Sequence, residues 1–142
     1  MQIRVLGEAF HPWQELAAYE DTHPELQGLT GGLSTFVGSM RDNNAGVEVE
    51  AMELQHYSGM TEKFLERVAE EAMKEWSLID ALIIHRYGPL KPGDPIVLVA
   101  AWAAHRDEAF RACRYMIDEL KTRAPFWKNE TTPEGKRWVE QE

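Results

Sequence analysis

Two short apolar runs, Ala81 to Arg86 and Ile96 to Ala103, constrain this chain more than any other part of it. Both read as strands, too short for buried helices and rich in branched and small apolar residues. Between them stand Gly88, Pro89, Leu90, Lys91, Pro92, Gly93 and Asp94, a run of turn formers that reverses the chain. The second run holds no polar residue, so a strand made from it is covered on both faces and belongs in the middle of a sheet.

The periodicities on either side supply the remaining elements. Met1 to Leu6 sets Ile3 and Val5 between polar neighbours, as a half-buried strand does, and Pro12 to Tyr19 reads as a short helix. Gly28 to Gly32 is a turn or flexible loop. Leu33 to Met40 is an expected strand, joined through Arg41, Asp42, Asn43, Asn44, Ala45 and Gly46 to a second, Val47 to His56, and these two are expected to pair antiparallel. Ser58 is the expected cap of a helix running to about Trp76, with Met60, Phe64, Ala72 and Trp76 as its apolar stripe. A last long helix is expected from about Asp107 and must stop before Pro125, because proline lacks a donor and disfavours helical geometry in its predecessor. Phe110, Cys113, Ile117 and Leu120 form its expected buried stripe. Phe126 and Trp127 restart an apolar run, and Thr131 to Gly135 loops before Trp138 and Val139. This order indicates an α+β fold over residues 1–142 as one domain, a mainly antiparallel sheet packed by helices.

Composition excludes several classes. With 142 residues, 44% of them hydrophobic, the chain can bury a core of its own. No apolar stretch is long enough for a bilayer, and Met1 to Phe10 carries Arg4 and Glu8 where a signal peptide has its apolar segment, so a cytoplasmic protein with no membrane role is expected. The single cysteine, Cys113, leaves no disulfide framework and no pair for a redox sulfur relay, so any sulfur handled here is brought in. His11, His23 and His56 lack ligand spacing, and neither metal nor cofactor is expected. A net charge of −9 argues against nucleic acid as partner. The charge is uneven, with 7 basic and 16 acidic residues in 1–104 but 8 basic and 6 acidic in 105–138. A basic segment in an acidic chain fits a compact anion site or a helix face laced with ion pairs.

Several basic residues are candidates for that site. Lys121 lies about 40° around its helix from Ile117, on the same edge as Arg114, where a partly desolvated ammonium can serve as acid, base or nucleophile. Lys128 follows the Pro125, Phe126, Trp127 corner, which can hold it in place. His105 and Arg106 stand where the apolar strand hands over to the last helix, and Arg41 leaves another strand tip, places where side chains and free amides converge on anions. Taken singly, each also fits a snorkelling lysine or a surface ion pair. His85 and Arg86 read as structural, tying down the following turn, and Cys113 as inert packing.

The run Leu120, Lys121, Thr122, Arg123, Ala124, Pro125, Phe126, Trp127, Lys128, Asn129, Glu130 closely resembles the signature of the MoaE family, the large subunits of molybdopterin synthase. Phe36, Val37, Gly38, Ser39, Met40, Arg41 resembles that family's strand end. His85 to Gly88 and Ala104 to Arg106 resemble two further landmarks, and Glu53, His56, Tyr57, Met60, Pro133, Gly135 and Trp138 extend the similarity. The resemblance implies an α/β hammerhead-like fold and a sulfurtransferase that converts cyclic pyranopterin monophosphate (precursor Z) to molybdopterin. Its two sulfurs would come from the thiocarboxylated Gly-Gly end of a small ubiquitin-like subunit. A homodimer at the centre of a heterotetramer is implied as well. Lys121 and Lys128 match the family's catalytic lysines, and Ser39, Met40, Arg41, His105, Arg106, Asn129 and Glu130 its substrate-binding positions. Many bacterial members carry lysine where this chain has Ser39. The alternative is a non-catalytic module that binds a ubiquitin-like Gly-Gly tail.

Overall fold

Strand β6 (Asp80–Arg86) and strand β8 (Pro95–Ala103) pair antiparallel from Asp80 opposite Trp102 to His85 opposite Val97, as the turn formers between them require. The computed structural model describes residues 1–139 of the chain. Strand β1 (Gln2–Leu6) lies parallel to β6, and strand β2 (Gly32–Ser39) runs antiparallel along the other side of β8, giving a four-stranded sheet in the order β1, β6, β8, β2. Successive side chains point to opposite faces, and here both faces are dry. Ala81, Ile83, Val97, Val99 and Ala101 face helices α2 (Met60–Glu75) and α3 (Arg106–Arg123). Leu82, Ile84, Leu98, Ala100 and Trp102 face helix α1 (Pro12–Asp21) and the single 3-10 turn at Pro24–Leu26.

A second sheet stands beside the first. Strand β5 (Ala51–His56) pairs with strand β7 (Gly88–Leu90) on one side and strand β9 (Phe126–Thr132) on the other, and strand β10 (Gly135–Val139) completes the order β10, β9, β5, β7. All its pairings are antiparallel. One face carries a small core of Met40, Val49, Met52, Leu54, Leu90, Ala124 and Phe126, while the other leaves Trp127 and Trp138 exposed.

The expected pairing of Leu33–Met40 with Val47–His56 is corrected here. Strand β2 pairs with β8, and β5 belongs to the other sheet. The cause is local: strands β3 (Asn43–Asn44) and β4 (Val47–Glu48) close a hairpin on left-handed Ala45 and Gly46, and the amide of Val49 donates to Asp42 O at 2.8 Å. The chain therefore leaves β2 and turns away from it. Strand β7 lies inside the run read as turn alone.

Two helix expectations shift as well. Gly59, at φ 85°, caps α2 in place of Ser58, and its amide donates to the Glu62 carboxylate at 2.6 Å. The buried stripe of α2 is Thr61, Leu65, Val68, Ala69 and Ala72, leaving Met60 exposed. In α3 the stripe is Ala109, Ala112, Cys113, Met116, Ile117 and Leu120, and Phe110 is 63% exposed. Ala109 and Ala112 thus lie on the face that α3 turns to the sheet, and Phe110 lies off it. Gly31 permits a similar close approach, since a Cβ there would strike the carbonyl of Ala104 at the end of β8.

Candidate active site

The end of α3 positions the first functional side chain. Pro125 has no amide hydrogen and forces Ala124 out of the helical region, to φ −62° and ψ 139°. Ala124 is buried in the second sheet's core, so the chain turns there and enters β9 at once. This corner brings Lys121, on the last turn of α3, and Lys128, on β9, to the same cleft. The cleft encloses about 560 Å³ including its open mouth. Ile117 and Leu120 form one wall beside Lys121, and Met52, Leu54 and Phe126 lie opposite, with Ile96 and Val97 of β8 between the sheets. Gly38 and Ser39 form part of its lining at a register break of β2 against β8. A Cβ on Gly38 would approach Val97 to 2.9 Å, so the strand passes there only without a side chain. Among the described residues, none that lines it is acidic.

His85 also lines this cleft, a contribution that its sequence position at a strand end did not signal. Its ring stacks on Phe126 with centroids 3.9 Å apart and planes 15° from parallel, and its Nδ1 lies 2.9 Å from the Arg86 carbonyl oxygen. Burial, and beyond it the nearby charges of Lys128 and Lys121 and the neighbouring His56 ring, outweigh that hydrogen bond and lower the imidazole pKa to about 4. The imidazole is therefore neutral at physiological pH. Arg86 has the structural role read from the sequence, donating to Pro89 O at 2.8 Å and facing Asp94 at 3.4 Å across the turn. Cys113 is buried, and desolvation raises its thiol pKa, which keeps it unreactive.

The other sequence candidates are distributed around and away from the cleft. Met40 is buried behind Ser39 in the second sheet's core. Arg41 is exposed just beyond, with Nη2 3.4 Å from Asn43 Oδ1, and does not line the cleft. Glu130 points to the same side of β9 as Lys128, but its carboxylate is held by Arg137 at 3.0 Å and Asn44 at 3.2 Å. Asn129 points to the opposite side, and among the described residues its buried Oδ1 has no hydrogen-bond partner. His105 and Arg106 are exposed at the far end of α3. Fifteen helical positions separate Arg106 from Lys121, roughly 22 Å along the axis, so one protomer does not bring them to its own cleft. Arg114 is exposed and bonded to Asp118 at 3.0 Å. Among the described residues no group of three His, Cys, Asp or Glu side chains is placed to hold a metal ion, and no helix is long and apolar enough to cross a membrane.

These features define a class: an α+β domain with a cationic cleft, lined by no carboxylate among the described residues, between helix α3 and the seam of its two larger sheets. The family described as MoaE protein matches residues 10–123, which include Lys121 and end before Lys128. The chain is 53% identical over 140 residues to the molybdopterin synthase catalytic subunit of Pseudomonas aeruginosa, covering 99% of this chain and 91% of that one. The crystal structure of molybdopterin synthase from Staphylococcus aureus superposes with a TM-score of 0.86 at 30% identity, covering 99% of this chain and 98% of that one. The molybdopterin biosynthesis MoaE protein of Burkholderia ambifaria gives 0.81 at 48% identity, covering 99% and 89%. The chain belongs to the MoaE protein family.

Proposed function

We propose that this chain is the catalytic subunit of a cytoplasmic molybdopterin synthase, a sulfurtransferase that converts cyclic pyranopterin monophosphate to molybdopterin. The sulfur donor is the thiocarboxylated Gly-Gly tail of a small ubiquitin-like subunit, laid into the cleft. The observation that carries this reading is the convergence of Lys121 and Lys128 on one cleft in a MoaE chain. A thiocarboxylate and a phosphate are both anions, and a cleft with two ammonium groups and apolar walls stabilises them far better than open solvent does.

In this reading Lys121 takes part in proton transfer or activates the thiocarboxylate, and Lys128 orients the substrate and stabilises negative charge as it develops. Ser39 offers a hydroxyl at the cleft and Arg41 a guanidinium just outside it. Met40 and Glu130 brace these groups from behind, and Asn129 supports β9 from its other face. In this reading His105 and Arg106, a helix length away from Lys121, serve the cleft of a second copy in the dimer at the centre of a heterotetramer.

Mixing the protein with thiocarboxylated small subunit and cyclic phosphopterin tests the reading. The expected result is a dithiolene product. Tight binding of the tail without turnover identifies a non-catalytic module instead. Mixing Lys121→Ala subunits with Arg106→Ala subunits tests the shared cleft, because exchange then restores one complete site per dimer. No recovery over either variant alone places Arg106 elsewhere.

A further inference from the structure

Four polar side chains line the cleft, Ser39, His85, Lys121 and Lys128, and His85 alone among them is buried. The contact of its Nδ1 with Arg86 O decides its tautomer. A carbonyl oxygen only accepts, so Nδ1 carries the hydrogen and Nε2 keeps its lone pair. The stack on Phe126 fixes the plane of the ring. Phe126 and Lys128 stand two residues apart on one face of β9, so a ring stacked on the first lies beside the second. Titratable groups approach it from three elements: Lys128 on β9, His56 on β5 and Lys121 on α3.

Resting on the proposed sulfur transfer, we infer that His85 is a positioning residue: with the anion bound, its Nε2 accepts a hydrogen bond from the Lys128 ammonium and aims that cation at the anion. A carboxylate in the same place would hold the lysine as firmly, yet it would cancel the charge the anion needs. A neutral imidazole holds the ammonium and leaves its charge intact. The same group cannot become a third cation near neutral pH, since burial and the surrounding charges keep its pKa near 4.

Two substitutions separate this role from simple packing. His85→Phe keeps an aromatic ring on Phe126 and removes the acceptor, whereas His85→Gln returns an amide oxygen close to the position of Nε2. In sulfur transfer with the thiocarboxylated subunit, His85→Phe is expected to lower kcat about tenfold or more with KM within about threefold, and His85→Gln to recover much of that loss. In a Lys128→Ala background, His85→Phe is expected to cost less than about twofold further. Equal losses in both backgrounds, or a wild-type kcat in His85→Phe, overturn the inference. Nitrogen-15 shifts of the wild-type ring give a readout that needs no turnover, and the expected result is a neutral Nδ1–H imidazole from about pH 5.5 to 9. A hydrogen on Nε2, or protonation with a midpoint above about pH 6, overturns it as well. If the wild-type protein transfers no sulfur at all, the proposed function falls, while the tautomer and its titration remain measurable.

Discussion

The two four-stranded sheets bury their residues by different rules. In the β1, β6, β8, β2 sheet, helices cover both faces, and residues such as Leu98, Val99 and Trp102 are fully buried. In the β10, β9, β5, β7 sheet one face packs on the small core around Met52 and Leu54, and charged residues sit among the apolar ones, as Lys128 and Glu130 do on β9. The dry sheet supplies a closely packed wall and carries α3 with Lys121, and the half-covered sheet supplies Lys128. Polar groups of β6 occur only at its ends, with Asp80 at one and His85 and Arg86 at the other, so the strand delivers an imidazole to the seam without opening its own core.

If that division is correct, damage to the dry core and damage to the cleft should register in different assays. The largest expected effect is on stability, where Leu98→Ala removes a fully buried side chain and should lower the unfolding free energy by about 2 to 5 kcal/mol. Turnover per folded molecule should stay the same. Denaturant titration beside an assay corrected for folded fraction checks this, and a parallel loss of turnover would break the comparison. Lys121→Ala should do the reverse, lowering turnover by roughly 100- to 1,000-fold while the unfolding free energy stays within about 0.5 kcal/mol of wild type. Wild-type turnover in that variant removes Lys121 from the chemistry.

The third effect is a pH dependence set at the seam. His85 has a folded pKa of about 4 against an unfolded value near 6.5, so between those values the unfolded chain binds more protons. Its stability contribution is complete above about pH 6.5 and is lost progressively as the pH falls towards 4, on the order of 3 kcal/mol in all. His85→Phe should flatten that part of the acid-unfolding profile, and an unchanged slope would show that the ring is already protonated in the fold. The smallest effect belongs to Arg114, exposed and paired with Asp118. Arg114→Ala should change stability by less than about 0.5 kcal/mol and leave turnover unchanged, which excludes it as a substitute for the lysine that many family members carry at position 39.

Much of this fold can be read from local pattern. The apolar run from Ile96 to Ala103 is the strand shared by β6 and β2, and Pro125 ends α3 as its chemistry demands. The signature around Lys121 and Lys128 identified the two amines that share the cleft. Less legible were matters of neighbourhood. Periodicity tells which face of an element is dry, not which strand lies beside it, so β5 was assigned to the wrong partner. A stripe read from apolar residues alone also favoured Phe110 over Ala109 and Ala112, because large side chains dominate a hydropathy pattern while small ones decide how closely a helix can pack.

The sequence by itself determined most of the helices and strands, the stop of α3, which amines flank the Pro125 corner, and which family the chain resembles, because proline geometry, periodicity and short motifs act over a few residues. Tertiary structure alone decided that His85 stands in the cleft and that His105 and Arg106 lie a helix length away from it. The physical reason is that burial, charge proximity and strand order are set by residues distant in the chain, and no local spacing encodes the distance between them.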